Sequence, residues 1–384
     1  MPNNNEQIVV KPSKWKSFKD TYFLTGSIDI PFLGLTIALL TIGLIMLFSA
    51  SYPYAYYYKD SSYYYFIRQI VFAVAGLVAM LLMSKINYKI LKAIYKPVFV
   101  VTIALLVIVL FYHTNVQNFK RWIPLGPVSI QPSDLAKFTI ILTLAVYISK
   151  YYKKMKTMKY GILIPIGIIA IFCGLIYLEH HLSCTILMFF IGACLMFAGG
   201  SDWKLFAFGL AVIVLLGFLV VSFPTLIENY AGKRIVAWLD KDYDPLNGRW
   251  QTNNSLYAIG SGGFFGVGLG NSKQKYLYVS EPQNDFIFSI VCEELGFLGA
   301  AIIIALFAAL VIRGLIIASR CKDKFGSLLI IGVVAQIGLQ VVLNIPNTGF
   351  ALPFFSYGGT AIFMLLFEIG VVLSVSRKTN QQKV

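Results

Sequence analysis

Ten apolar runs, separated by polar segments, constrain the fold of this chain more than any other feature of its sequence. Each run is long enough, or nearly so, to cross a hydrocarbon layer of about 30 Å as a helix. Of the 384 residues, 58% are hydrophobic and 13% are charged, which is more apolar surface than one soluble core could hide. The sequence therefore predicts an all-α polytopic membrane protein with about ten transmembrane helices. The helices are expected near residues 30–51, 66–84, 93–112, 134–150, 160–178, 183–199, 204–222, 286–312, 326–345 and 358–375.

Lysine and arginine cluster before the first run, in alternate connections, and after the last run, which predicts the orientation of the bundle. By the positive-inside bias, both termini are cytoplasmic. The predicted parts are an N-terminal cytoplasmic segment (1–29), one membrane domain (30–376) and a cytoplasmic tail (377–384). The first segment is too polar for a cleaved signal peptide. We interpret the net charge of +15 as a topology signal and an attraction to anionic membrane lipid, not as a nucleic-acid footprint.

One large extracytoplasmic loop, residues 223–285, is predicted between helices seven and eight. Loops of this length are uncommon in compact proteins unless they have a function. The glycine run at 260–270 follows no strand and lacks the spacing of a dinucleotide or phosphate loop, so tight turns and helix packing are the favoured use. Lys273 and Lys275, near the end of the loop, are candidate cations for an anionic substrate.

Three acidic residues follow in an otherwise apolar stretch: Asp285, Glu293 and Glu294. Charge at membrane depth is costly unless it is paired or used, so each is a functional candidate. Asp285 lies at the expected outer mouth of helix eight. The two glutamates lie about two helical turns, or roughly 12 Å, below it, which excludes a shared proton. For the glutamates we favour pairing inside the bundle over catalysis.

A polar cluster opens the fourth run, with Arg121 before it and Gln131, Ser133, Asp134 and Lys137 at its start. One interpretation is structural: a helix start with an acid in the first turn and an ion-pair partner three residues on. The other is functional: Arg121 and Lys137 present two cations to a phosphate, and Asp134 holds Lys137 in place. Spacing alone leaves both open.

The connection between the last two runs, residues 343–359, is interrupted by proline and glycine and is polar but uncharged. Irregular backbone at membrane depth is tolerated where it is buried in protein or lines a wet cavity. We therefore expect this connection, which includes Ser356, to form a polar cavity wall.

Taken together, three ordered motifs resemble the SEDS family of shape, elongation, division and sporulation proteins, represented by RodA, FtsW and SpoVE. They are RWI…QPSDLAK at 121–137, GRWQTNNSLYAIGSGGFFGVGLGNSKQKYLYVSEPQNDFIFSIVCEELGFLG at 248–299 and NTGFALPFFSYGGT at 347–360. The resemblance implies a multi-pass protein of the bacterial plasma membrane with ten spans and a site at the outer leaflet. It also implies a peptidoglycan glycosyltransferase that polymerises lipid II, an undecaprenyl-pyrophosphate-linked sugar, for cell division, elongation or sporulation. The implied partner is a class B penicillin-binding transpeptidase.

For the reaction that the resemblance implies, Asp285 matches the residue taken as the catalytic base. A base is needed because an alcohol is a poor nucleophile until its proton is removed. Departure of a pyrophosphate needs cations, with or without a divalent ion such as Mg²⁺ or Mn²⁺, for which no protein ligands are assigned. The expected substrate-binding residues are Arg121, Gln131, Ser133, Asp134, Lys137, Lys273, Lys275 and Ser356.

The sequence departs from the family pattern in three places. Asp134 stands where the family commonly has Glu, and Gln283–Asn284 stands where it often has His-Thr. After run five, the chain reads Leu-Glu-His-His-Leu-Ser-Cys at 178–184 in place of the RodA-like Leu-Glu-Pro-Asp-Leu-Gly-Thr. A role for an aspartate at His181 therefore cannot be carried over. A histidine there resembles the division and sporulation branch more than the elongation branch.

Two competing classes remain. A flippase for the same lipid-linked precursor would usually place its essential charges near the midplane, on broken helices of repeated halves. Here the main charged cluster is predicted at the outer rim, next to one long loop, which favours an enzyme. A scaffold that recruits other proteins would leave Asp285 without a chemical role.

Overall fold

The computed structural model describes residues 23–111, 121–126, 128–202, 204, 209, 250–345 and 350–381, most of which lie in α-helices. A short antiparallel hairpin, β1 (Ile123–Leu125) and β2 (Val128–Ile130), precedes α4. One π-helical turn, Lys159–Leu163, leads into α5. The helices are α1 (Ile30–Lys59), α2 (Tyr64–Lys85), α3 (Lys89–Phe111), α4 (Pro132–Tyr151), α5 (Ile164–Leu178), α6 (Leu182–Ala198), α7 (Trp250–Ser261), α8 (Ile287–Arg320), α9 (Lys324–Asn344) and α10 (Gly359–Gln381).

Nine of the ten predicted spans correspond to helices. Within the described ranges, eight helices are long and apolar enough to cross a membrane, counting α5 with its π-helical turn, and α6 is a shorter apolar helix. The chain is thus a multi-pass membrane protein with an all-α fold. The predicted span at 204–222 lies outside the described residues except for residues 204 and 209, and so does the part of the large loop before residue 250. The described end of that loop contains α7.

Helices α4 and α10 form the centre of the bundle. Their most apolar windows are 78% and 72% buried, whereas that of α3 is 17% buried. In a membrane, helices at the rim face lipid, and only central helices are enclosed by protein. Polar groups on α4 and α10 are therefore shielded from lipid by the surrounding helices.

Both described chain ends lie at the same end of the bundle. Asp29 caps α1 by accepting a hydrogen bond from the amide of Phe32 at 3.0 Å, and it also binds both Nε and Nη2 of Arg313, at 2.9 and 2.8 Å. At the other terminus, Arg377 donates to the carbonyl of Gly26 at 2.8 Å. The guanidinium of Arg313 is therefore paired with Asp29 and does not extend alone towards the membrane surface.

Helix α8 is interrupted at Gly296, where φ is 66° and ψ is −169°. A break exposes backbone groups that must be satisfied inside the protein at membrane depth. The glycine run supplies the partners. The amides of Val267 and Gly268 donate to the carbonyls of Glu293 and Glu294, each at 3.0 Å. Beyond the break, the amides of Phe297 and Leu298 donate to the carbonyls of Gly263 and Phe264, at 2.9 and 3.1 Å.

This pairing requires glycine on both sides. A Cβ on Gly266, where φ is 81°, would lie 2.2 Å from the carbonyl oxygen of Glu294. A Cβ on Gly296 would lie 2.3 Å from the amide nitrogen of Gly266. These distances are too short for any real side chain, and both residues have a positive φ that glycine adopts at no steric cost. The predicted use of the glycine run in turns and helix packing is confirmed.

Candidate active site

The segment that carries Asp285 is fixed by the polar connection between α9 and α10. The carbonyl of Gln283 accepts a hydrogen bond from the amide of Tyr357 at 2.8 Å, and that of Asn284 accepts one from Oγ of Ser356 at 2.7 Å. The carbonyl of Asp285 accepts one from Nδ2 of Asn344 at 3.1 Å. Three consecutive carbonyls are thus held, while the side chain of Asp285 is exposed. The backbone is fixed and the carboxylate remains accessible, as a general base requires.

The opening of α4 holds a nearly buried ion pair. Nζ of Lys137 lies 2.9 Å from Oδ1 of Asp134, and Oδ2 of Asp134 accepts a hydrogen bond from Thr360 at 2.7 Å. Gln131 occupies the N-cap position, and its carbonyl accepts from the amide of Asp134 at 3.0 Å. Ser133 is fully buried in the first turn. The predicted helix start and the predicted Asp134–Lys137 pair are both confirmed, while the role of this pair in substrate binding stays a prediction.

A short segment joins these two clusters. Ser356 contacts Asn284, and Thr360, four residues later, contacts Asp134. Four residues span at most about 14 Å, so the Asp285 segment and the opening of α4 lie at the same end of the bundle. The predicted polar wall is therefore the element that positions the candidate base relative to the candidate cation.

A polar column continues from this cluster into the bundle. Glu368 on α10 is 1% exposed, accepts a hydrogen bond from Gln336 on α9 at 2.8 Å, and interacts electrostatically with Lys137. Glu368 is thus paired inside the bundle, with Gln336 as its hydrogen-bond partner and Lys137 as the nearby charge. Lys137 thus lies near two acidic residues, one on α4 and one on α10, within a largely apolar bundle.

Arg121 lies at the end of α5, where its guanidinium donates to the carbonyl of His180. Its charge also acts on Glu179, which is fully buried. Burial raises the pKa of the Glu179 carboxyl to about 8, and the Arg121 charge opposes that rise. Arg121 was predicted beside the opening of α4. Cys184 on α6 links the two regions, because its thiol interacts electrostatically both with Lys137 on α4 and with Glu179, on which Arg121 acts.

Lys273 and Lys275, predicted together as substrate cations, have different environments. Lys273 is exposed. Lys275 is fully buried, with its Nζ 2.8 Å from Oε1 of Glu294 and 2.7 Å from the carbonyl of Gly270. Ser49 of α1 donates to the same Glu294 carboxylate. The expectation that Lys275 captures anions at the surface is therefore corrected, because its charge is already neutralised away from solvent.

The two glutamates of α8 hold the end of the large loop. Glu294 pairs with Lys275, which confirms that one glutamate pairs inside the bundle. Glu293 accepts hydrogen bonds from the hydroxyl of Ser272 and from the amide of Lys273, the latter at 2.9 Å. Both carboxylates therefore fix the loop against α8, where the sequence did not predict a contact.

Sequence reasoning missed two residues of this region. Glu179 is an acid at the end of an apolar run, so the argument applied to Asp285 could have found it. Thr360 has no comparable signal, because its contact with Asp134 depends on how α10 packs. Within the described ranges, no group of three or more His, Cys, Asp or Glu residues could hold a metal ion.

Comparisons with known proteins agree with this architecture. The profile of the cell cycle protein family of FtsW, RodA and SpoVE matches residues 31–381. Stage V sporulation protein E of Bacillus subtilis is 40% identical, over 91% of this chain and 97% of that protein. A probable peptidoglycan glycosyltransferase FtsW of Trichlorobacter lovleyi is 34% identical, over 92% of this chain and 94% of that protein.

Solved structures share the fold. A chain of a peptidoglycan synthase complex superposes with a TM-score of 0.76 at 25% identity, covering 92% of this chain and 98% of that one. The rod shape determining protein RodA of Thermus thermophilus superposes with a TM-score of 0.66 at 24% identity, covering 92% and 97%. Because the family profile matches residues 31–381 and the two relatives match over 97% and 94% of their length, this chain belongs to the FtsW, RodA and SpoVE family of cell cycle proteins.

Proposed function

We propose that this chain is a peptidoglycan glycosyltransferase that polymerises lipid II at the outer face of the membrane. The observation that carries the proposal is the exposed carboxylate of Asp285 on a backbone held by three hydrogen bonds, at the end of the bundle that also holds Lys137. A base and a cation at one mouth suit glycosyl transfer from a pyrophosphate. Membership of a family that includes probable peptidoglycan glycosyltransferases supports the same reaction.

In the proposed reaction, a hydroxyl oxygen of the acceptor sugar attacks the anomeric carbon of the donor sugar. The bond from that carbon to the pyrophosphate oxygen breaks, and its electron pair leaves with the pyrophosphate. Asp285 accepts the hydroxyl proton as the new bond forms. Arg121, Lys137 and the exposed Lys273 are the proposed cations for the leaving pyrophosphate.

A divalent ion such as Mg²⁺ or Mn²⁺ would add charge neutralisation at the pyrophosphate. Magnesium commonly binds through one or two carboxylates, substrate phosphates and water, so a site of this type needs no cluster of protein ligands. Asp285, as an exposed carboxylate, has the donor type that such an ion prefers.

The proposed partner is a class B penicillin-binding transpeptidase, which would cross-link the strands that this chain makes. The support is the structural similarity to a chain of a peptidoglycan synthase complex that coordinates polymerisation and crosslinking. Surrounding membrane lipid is the other partner.

Asp285→Asn tests the base. This change keeps the size of the side chain but removes proton acceptance, so polymerisation of labelled lipid II by the purified chain with a transpeptidase should fall by about 100-fold or more. Asp60→Asn, the same change at another exposed site, is the matched control and should retain activity. Near wild-type polymerisation by Asp285→Asn would refute the assignment.

A flippase for the precursor remains the second candidate, because Glu368 and Gln336 extend the polar column into the bundle. A lipid-flip assay on the same proteoliposomes separates the two functions. Under the proposal, flipping is no faster with the wild-type chain than with Asp285→Asn, whereas polymerisation differs between them.

A further inference from the structure

Glu179 is a buried acid without an evident structural use. Its side chain is fully buried, and neither carboxyl oxygen has a hydrogen-bond partner among the residues that the structure describes. Buried polar groups in proteins are nearly always hydrogen-bonded, because leaving one unsatisfied costs about 1–3 kcal/mol. The catalytic scheme above does not use this residue, so its unsatisfied carboxyl needs an explanation.

The groups around Glu179 are those of the candidate substrate site. Arg121 acts on its charge from the segment before β1. The thiol of Cys184, in the first turn of α6, interacts electrostatically with Glu179 and also with Asp134 and Lys137 on α4. Glu179 therefore faces a region that holds two cations and one other acid, with His180 and His181 next to it in the chain.

The protonation state decides what such a group can do beside an anion. An ionised carboxylate only accepts hydrogen bonds and repels phosphate, whereas a neutral carboxyl donates one O–H. Burial raises the pKa of Glu179 to about 8, against the opposing charge of Arg121, so the neutral form predominates at pH 7. In that form, Glu179 can donate its O–H to a phosphate oxygen and does not repel the phosphate charge.

We propose that Glu179 is a substrate-binding residue whose neutral carboxyl donates a hydrogen bond to an oxygen of the lipid-linked pyrophosphate bound by Arg121 and Lys137. This inference rests on the proposed function, since it assigns the pyrophosphate of that reaction to the region around Glu179. The substrate oxygen is then the partner that the buried carboxyl lacks.

The proposal predicts a specific dependence on pH. When pH rises through about 8, Glu179 ionises and repels the pyrophosphate, so affinity falls. The other charged or titratable groups of this region are Arg121, Asp134, Lys137, His180 and His181. Cys184 is also titratable and interacts with Glu179, so the series includes Cys184→Ala.

The experiment measures binding of undecaprenyl pyrophosphate, and in parallel the KM for lipid II, at pH values from 6.5 to 9. Wild type and Cys184→Ala should both weaken by about tenfold across pH 8. Glu179→Gln keeps an uncharged donor, so it should bind within about threefold of wild type at pH 7 and show no weakening at pH 9. Glu179→Ala should bind about tenfold more weakly at pH 7, the loss of one hydrogen bond of about 1.4 kcal/mol.

Each result decides the proposal. A pH dependence in Glu179→Gln equal to that of wild type overturns it, as does wild-type affinity in Glu179→Ala. A purely structural role would lower the melting temperature of the variants without changing the pH profile of binding. If neither the wild type nor any variant polymerises lipid II but binding still follows the predicted pH profile, the proposed function fails while the pyrophosphate contact stands.

Discussion

Lys275→Met is the substitution whose effect follows most directly from the structure. The fully buried Nζ of Lys275 lies 2.8 Å from Glu294, 2.7 Å from the carbonyl of Gly270 and 3.3 Å from the hydroxyl of Ser49. Methionine retains much of the apolar stem but removes the charge. Glu294 would then be a buried carboxylate without its ion-pair partner.

Removing one partner of a buried ion pair costs about 3–5 kcal/mol. At about 2–4 °C for each kcal/mol in a large domain, the melting temperature should fall by roughly 6–20 °C. The assay is thermal unfolding of the purified protein in one detergent. Lys273→Met is the matched control: the residue is exposed two positions away, and the same change there should cost no more than about 0.5 kcal/mol.

The double variant Lys275→Met/Glu294→Gln separates charge from packing. With no orphan charge left, it should recover more than half of the stability lost in Lys275→Met, because a neutral amide can still accept the hydrogen bond from Ser49. If Lys275→Met melts no lower than Lys273→Met, the lysine is not buried in an ion pair, and its earlier interpretation as a surface cation for substrate would be restored.

Two further predictions concern the broken helix and the pair on α4. Gly296→Ala should destabilise the protein by about 2 kcal/mol or more, because the alanine must adopt a left-handed backbone conformation and its Cβ meets the backbone of the glycine run. The control is Gly260→Ala in α7, where a Cβ meets nothing within 4 Å. This change should be neutral or slightly stabilising. Equal melting temperatures for the two variants would contradict the described pairing. The double variant Asp134→Ala/Lys137→Ala should regain part of the thermal stability that Asp134→Ala loses, because Lys137 is no longer left as a charge without its partner. It should polymerise lipid II as poorly as Lys137→Ala, because the phosphate contact is also gone. Recovery of polymerisation in this double variant would show that the pair is only structural.

The parts of this structure that follow from local sequence were predictable. Apolar runs of about 20 residues determine where helices cross a membrane, and nine predicted spans are helices as expected. The Asp134–Lys137 pair was predictable for the same reason, because residues three apart share a helix face.

The contacts that were not predictable join distant segments. Lys275 meets Glu294 only because the glycine run turns the loop back onto α8, and Asp29 meets Arg313 across 284 residues. A sequence shows that a charge lies in an apolar region but does not identify its partner. For this reason a buried lysine was interpreted as a surface cation, and Glu179 was passed over.

The hydrogen bonds that join the glycine run to α8 also limit where residues can be inserted into or deleted from this part of the chain. Two donors, at Val267 and Gly268, meet carbonyls before the break, and two acceptors, at Gly263 and Phe264, meet amides after it. One residue inserted or deleted between these two pairs would shift one pair relative to the other and leave unsatisfied groups at membrane depth. Relatives with functional proteins should therefore vary in length elsewhere in the loop while keeping the spacing between Gly263 and Gly268 constant.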